Sequence, residues 1–348
     1  MPPAARRRLT LVLKWRLLLA PLRLTLACWN YDRTGPLATG AIRPAGIDLV
    51  YLDQPVEETF FRMVRHREFD VAEMSLSTYC ITLMKDDPDF IAIPVFPSRM
   101  FRHSGIYVST KSGISKPEDL AGKRIGCPEF QLTAFVWIRG VLAEEYGVST
   151  SSPSYWTGGE EEPGRVEKAH ITLPERFRVD RIGPTQTLSQ MLADGEIDAL
   201  YATRMPSTLH SRPDHVRRLF EDSRSVEQDY FRRTKVFPIM HTVVIRRELY
   251  RQHPWIAMSL MKAFSDAKAL VMRNLYELAA LTTMLPWQVV HVEETRAALG
   301  EDWWPYGLAP NRHVLETFLA YHHEQGLSHR LLTPEDLFAP ETLEAFKI

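Results

Sequence analysis

The chain has 348 residues, with 42 Lys and Arg against 43 Asp and Glu, a formal net charge of −1, and 45% apolar against 24% charged residues. That suits one large domain or two ordinary ones with a buried core, and rules out a disordered or fibrous chain. The balanced charge argues against a nucleic-acid binder that neutralises phosphates, and three scattered cysteines (Cys28, Cys80, Cys127) exclude a disulfide framework and a zinc spacing.

Residues 1–21 carry an Arg cluster followed by apolar residues, but Lys14 and Arg16 break the run and no small-x-small cleavage site follows. The run is also shorter than the ~20 apolar residues of a spanning helix. It reads as an N-terminal extension, and with no other stretch able to cross a bilayer the expectation is a cytoplasmic protein without a membrane partner.

From residue 22, β-type runs alternate with amphipathic helices. Strands are expected over 22–29 and 48–52, then a helix over 56–67 with Phe60, Phe61 and Val64 at core-facing spacing. A buried strand over 69–74 runs into Ser75-Leu76-Ser77-Thr78, whose hydroxyls suit a helix start. Strands over 90–96 and 106–109 follow, and a second unit begins near Lys111. It holds a capped turn at 115–120, strands over 123–127, 154–156, 178–182 and 197–201, and helices over 132–146 and 187–193. A return strand over 236–245 leads into a helical remainder, with long amphipathic stretches at 249–274 and 312–325. Such alternation predicts an α/β fold of two lobes, the second inserted in the first: 22–110 with 236–348, and 111–235.

Three runs, "PEDLAGKRIG" at 117–126, "DGEIDA" at 194–199 and "FDVAEM" at 69–74, resemble type II periplasmic-binding-protein folds. Longer runs are similar to the 4,5-dihydroxyphthalate decarboxylases: "LTLACWNYDRT" at 24–34, "PVEETFFRMVRHREFDVAEMSLSTY" at 55–79 and "FIAIPVFPSRMFRHSGIYV" at 90–108. So are "TAFVWIRG" at 133–140, "YWTGG" at 155–159 and "FPIMHTVVIRRELY" at 237–250. The resemblance implies loss of one carboxylate from 4,5-dihydroxyphthalate, giving 3,4-dihydroxybenzoate and carbon dioxide. It also implies a homo-oligomer acting on a small aromatic dicarboxylate.

That chemistry asks for cations to hold two adjacent carboxylates and a positioned acid to protonate the ring carbon. The ring can hold the electrons itself, and no motif for an electron-sink cofactor or a metal is present, so none is expected. Arg33, Arg99, Arg102 and Arg204 are the candidate carboxylate holders; Arg33 also suits a surface pair with Asp32. His103, His241 and Glu73 are the candidate proton carriers, His because it titrates near neutrality, Glu73 if its apolar surroundings raise its pKa. Ser75, Ser77 and Thr133 sit at helix starts, as anion donors or as caps. Gly158 and Gly159 offer backbone NH groups or a plain turn, and Tyr31 or Tyr201 suits the ring hydroxyls. The tryptophans of the helical tail (Trp255, Trp287, Trp303, Trp304) read as core, cleft cover or subunit contact. The rival function is a transporter's solute-binding protein; a related enzyme for another ring acid is a third reading.

Overall fold

The computed structural model describes residues 20–344, so the extension expected over 1–21 lies, but for its last two residues, outside the described residues. Two sheets form. The first has the order β2-β1-β3-β11-β4 and the second β10-β5-β9-β6-β7-β8. The first uses β1 (Leu22–Cys28), β2 (Ile47–Asp53), β3 (Val71–Ser75), β4 (Phe90–Ile93) and β11 (His241–Arg246). The second uses β5 (Ile106–Ser109), β6 (Arg124–Cys127), β7 (Ser154–Thr157), β8 (Arg178–Arg181), β9 (Ala199–Tyr201) and β10 (Val216–Arg218). The chain makes the whole second sheet between β4 and β11, so the second lobe is inserted in the first.

One strand departs from the sequence reading. Ile106–Ser109 was expected to end the first lobe, yet it pairs antiparallel with β9 and β10 in the second sheet. Its apolar run is equally at home in either sheet, and only pairing decides between them.

β11 enters antiparallel between β3 and β4. Strand periodicity then places Leu24, Leu26, Val71, Val243 and Ile245 together, under Ile256, Leu260 and Phe264 of helix α6 (Trp255–Asn274). To reach that label in chain order, α1 is Val56–His66, α2 Leu76–Thr82, α3 Thr133–Tyr146, α4 Leu188–Asp194 and α5 Ser223–Thr234. Two more helices, α7 (Gln288–Leu299) and α8 (Arg312–Glu324), complete the tail.

The tail is bound to both lobes. α8 lies on α3, where a Cβ at Gly140 would overlap the Tyr321 ring. Buried Arg139 of α3 donates to Gln325 Oε1 (2.7 Å) and to the Phe130 carbonyl (2.7 Å). Beyond α8 the chain returns to the first lobe, where Tyr79 donates to the Leu337 carbonyl and Phe338 bridges Ala92. One apolar cluster accordingly joins Met74 and Leu76, Val108 and Trp137, and Phe318 and Leu337. Trp287 and Trp255 are exposed, whereas Trp304 packs beside the candidate site. Among the described residues no helix is long and apolar enough to cross a membrane.

Candidate active site

Glu73 sits mid-strand in β3, with every residue of that strand buried. The register decides its company. Leu26 pairs with Val71 in the parallel β1–β3 ladder, so Cys28, two residues on, falls beside Glu73. Across the antiparallel ladder Val243 stands opposite Glu73 and His241 is its diagonal neighbour. A carboxyl with no exposed surface therefore lies among apolar side chains, and its hydrogen bonds must come from the protein.

They do. Oε1 accepts from His241 Nδ1 (2.6 Å) and from the Tyr31 hydroxyl (2.6 Å). Oε2 accepts from the Trp29 amide (3.1 Å) and the Cys28 thiol (3.5 Å). Burial alone would raise this carboxyl, as the sequence reading supposed. The His241 charge, then the hydrogen bonds of His241, Tyr31 and Trp29, outweigh it and hold the carboxyl below its ordinary value. Burial, and then the charge of Glu73, push the Tyr31 hydroxyl and the Cys28 thiol up, so both stay neutral donors.

An ionised Glu73 makes His241 Nδ1 the donor and leaves Nε2, which has no hydrogen bond among the described residues, to a ligand. Phe60 of α1 meets the imidazole edge-on at 4.8 Å and fixes its plane. Beside the pair, the Arg33 guanidinium is held between the Tyr31 ring (4.1 Å) and the Trp304 ring (4.3 Å). Its Nε donates to the Pro97 carbonyl (2.6 Å), and NH1 meets Asp32 at 3.0 Å, so both sequence readings of this residue meet in one side chain.

The other expected residues lie elsewhere or are engaged. Arg99 is buried and donates to the carbonyls of Phe237 and Pro305 (3.0 Å each) and to Asn311, a bracket for the tail rather than a carboxylate holder. Desolvation lowers it to about 9. Arg102 turns Nε to Met240 Sδ (3.2 Å), and burial lowers it to about 10. Met240 and His241, being consecutive, present side chains in opposite directions, which sets Arg102 apart from Glu73. His103 packs edge-on to Phe220 and Tyr230 at 5.3 Å with neither ring nitrogen hydrogen-bonded, and burial lowers it to about 4. Such an imidazole is neutral and cannot supply a proton near neutrality. It does not converge with Glu73 and His241; among the described residues no three His, Cys, Asp or Glu gather in a set able to hold a metal ion.

The hydroxyls at helix starts are tied across the lobes. Thr133 Oγ1 meets Ser75 Oγ (2.8 Å) and accepts from the Ser77 amide (2.9 Å), while Ser77 Oγ contacts buried His322 Nε2 (3.1 Å). Gly158 and Gly159 are packing residues, since a Cβ would strike Ile182 at the first and the Glu162 carbonyl at the second. Tyr201 is buried in the core.

A cleft of about 670 Å³ opens between α1 and the second lobe, lined by Glu57 and Phe61 on one side and by Gly159, Glu160, Arg165 and Arg204 on the other. Arg204 closes onto Glu57 with two contacts, NH1–Oε1 at 2.6 Å and NH2–Oε2 at 2.8 Å. Sequence reasoning missed Trp29, Phe60 and Glu160. Phe60 read as core because its helical spacing matches the core face, and Glu160 as part of a polar loop.

No protein-family model matches the chain. A 4,5-dihydroxyphthalate decarboxylase of Comamonas testosteroni is 44% identical over 330 residues, 95% of this chain and 100% of that one. Another, from Pseudomonas putida, is 43% identical over 211 residues, 61% of this chain and 82% of that one. Among solved structures, the periplasmic aliphatic sulphonate binding protein SsuA from Escherichia coli matches with a TM-score of 0.53 at 12% identity, covering 92% of this chain and 99% of that one. The putative periplasmic sulfonate-binding protein SsuA from Methylobacillus flagellatus KT matches with a TM-score of 0.53 at 15% identity, covering 93% of each chain. At such identities the likeness shows the fold, that of the periplasmic binding proteins.

Proposed function

The chain belongs to the 4,5-dihydroxyphthalate decarboxylase family, and from that premise we propose how its cleft carries out the reaction. The protein is a carboxy-lyase of phthalate breakdown, taking 4,5-dihydroxyphthalate to 3,4-dihydroxybenzoate and carbon dioxide without oxidation. His241 delivers a proton from Nε2 to the ring carbon that carries the departing carboxylate. Glu73 orients the imidazole and stabilises its cation, a positioning role like that of a carboxylate behind a catalytic histidine elsewhere. The ring hydroxyls supply electron density for protonation, and the carbon–carboxylate bond breaks as aromaticity returns. Arg33, held flat between two aromatic rings, and Arg204, on exchanging Glu57 for substrate, hold the carboxylates from the two lobes.

The observation that carries this reading is the one carboxylate oxygen shared by His241 Nδ1 and the Tyr31 hydroxyl. A solute-binding role would require lobes that part, and the tail fastened to α3 and to Ala92 and Tyr79 speaks against it. With the enzyme reading go a cytoplasmic location, in keeping with three buried free thiols, and a homo-oligomer. We take the second lobe to run from β5 to the segment before β11, a division that the strand order supports.

The test is carbon dioxide release by purified protein given 4,5-dihydroxyphthalate, with phthalate and 3,4-dihydroxybenzoate as controls. Release from the dihydroxy diacid alone is expected, and His241→Gln should lower kcat by roughly 10²–10⁴ while the diacid still binds. Tight binding without release by the unaltered protein would support the transporter role. Full turnover by the variant would remove His241 as the acid.

A further inference from the structure

The cleft is lined by a half-buried carboxyl of a different kind from Glu73. Glu160 follows Gly158-Gly159 after β7, and its loop is locked by its backbone, since the Gly159 and Glu160 carbonyls accept from the Leu188 and Ser189 amides at the start of α4 (2.9 and 3.0 Å). The side chain takes no part in that lock. Among the described residues no protein group hydrogen-bonds either carboxyl oxygen; Oε1 is buried without a partner, and Oε2 is left to the cleft that Glu160 lines. A buried orphan acceptor costs stability and calls for a reason.

Its position supplies one. Arg204, which faces Glu160, is clasped to Glu57, and Glu57 lies three residues before Phe60, the ring packed on His241. Residues three apart are neighbours on a helix surface. One turn of α1 thus links the Arg204–Glu57 pair beside Glu160 to the ring that packs on His241.

We propose that Glu160 binds the ring hydroxyl para to the departing carboxylate, takes its proton during turnover, and so makes the enzyme demand a hydroxylated diacid. This rests on the decarboxylase reading above. The step balances. As His241 gives its proton to the ring carbon, the para hydroxyl gives its own to Glu160, and the oxygen electron pair feeds the ring to a neutral dienone. The carbon–carboxylate bond then breaks, carbon dioxide leaves, its bonding pair restores the aromatic ring, and Glu160 returns the proton to the oxygen. His241 regains one proton from water, so the net change is one proton taken up and one carbon dioxide released.

The surroundings fit a base that works near neutrality. Burial first, then the charges of Glu161 and Glu57, raise Glu160, and Arg204 and Arg165 oppose them, leaving it at about 7; Tyr107 is the other titratable group beside it.

The test compares unaltered protein with Glu160→Gln in turnover and in calorimetric binding of 4,5-dihydroxyphthalate and phthalate. The variant should lose about 10²-fold in kcat, lose the fall in rate that the unaltered enzyme shows below about pH 7, and bind the two diacids with nearly equal affinity. Unchanged phthalate binding would show an intact cleft. A variant that keeps the rate, the pH profile and the preference for the hydroxylated diacid would overturn the proposal, as would one that loses phthalate binding as well, which would make Glu160 structural. If the unaltered protein releases no carbon dioxide, the decarboxylase reading itself fails; if it does and only His241→Gln is impaired, the role of Glu160 alone falls.

Discussion

Glu73 and Glu160 are two carboxyls in opposite circumstances, one fully buried in a central strand of the first lobe and one half-buried in a second-lobe loop that lines the cleft. Four donors converge on Glu73, and the sum of their effects holds it ionised. No donor reaches Glu160, and burial holds it near the point of titration. A satisfied carboxylate is suited to hold another group still. An unsatisfied one is suited to accept what a ligand brings. The pair shows that burial alone does not assign a role; the count of hydrogen bonds does.

The largest way to break the contrast is to remove the charge of Glu73. Glu73→Gln keeps the shape but leaves His241 Nδ1 and Tyr31 competing for a neutral amide, so kcat should fall on the order of 10²-fold with KM nearly unchanged. A change in KM alone would argue that Glu73 serves only binding. The variant should also lose stability, by roughly 1–3 kcal/mol at pH 7, for a hydrogen-bonded charge network is replaced by weaker bonds. A carboxyl lowered on folding stabilises above its unfolded pKa, and that contribution drains away as acid protonates the folded group. The deficit of Glu73→Gln, followed by thermal melts, should therefore be widest at neutral pH and shrink as acid takes the folded carboxyl through its lowered pKa.

Glu160 carries the opposite sign. A carboxyl raised on folding is most favourable while protonated, below the unfolded value near 4.5, and costs stability as pH climbs through about 7. Glu160→Gln should thus melt higher than the unaltered protein at pH 8, by about 1 kcal/mol after allowance for partial exposure, with the gain gone by pH 4.5. A variant more stable and less active is the expected mark of a group kept for function. A loss of stability at pH 8 would mean that Glu160 has a partner in solution and belongs with Glu73.

How much of this the sequence carried differs between the two lobes. Glu73 stood out as a carboxyl inside an apolar strand run, and His241 as a side chain of the type that titrates near neutrality. Their partnership could not be read, since it spans 168 positions and depends on β11 inserting antiparallel beside β3. Arg99 and His103 stood out for another cause, two arginines and a histidine crowded between two strands, yet the tail returns to claim Arg99 and an aromatic pocket encloses His103. Local spacing reports which side chains are costly to bury; it does not report what arrives from 200 residues away to meet them. Glu160 was invisible for a different reason, because three consecutive glutamates in a glycine-flanked loop look solvated, and only the packing of Gly159 on Glu162 and of the loop on α4 turns the first of them inward.

The smallest effect tests the link between the lobes. Arg204 is largely exposed where it clasps Glu57, so Arg204→Met should change stability by less than about 1 kcal/mol. Its kinetic effects are separable. Loss of a carboxylate partner should raise KM for the diacid several-fold, an effect that shrinks in high salt because screening weakens exposed charges first. Arg204 also favours the ionised form of Glu160, whereas Glu57, freed of its partner, disfavours it more strongly. Both changes raise Glu160 further, so the acid limb of the rate profile should move to higher pH in Arg204→Met. Removing Glu160 as well must abolish that movement: if the double variant Arg204→Met, Glu160→Gln still shows a displaced limb, the titrating group is in the first lobe and the division of labour between the two carboxyls is wrong.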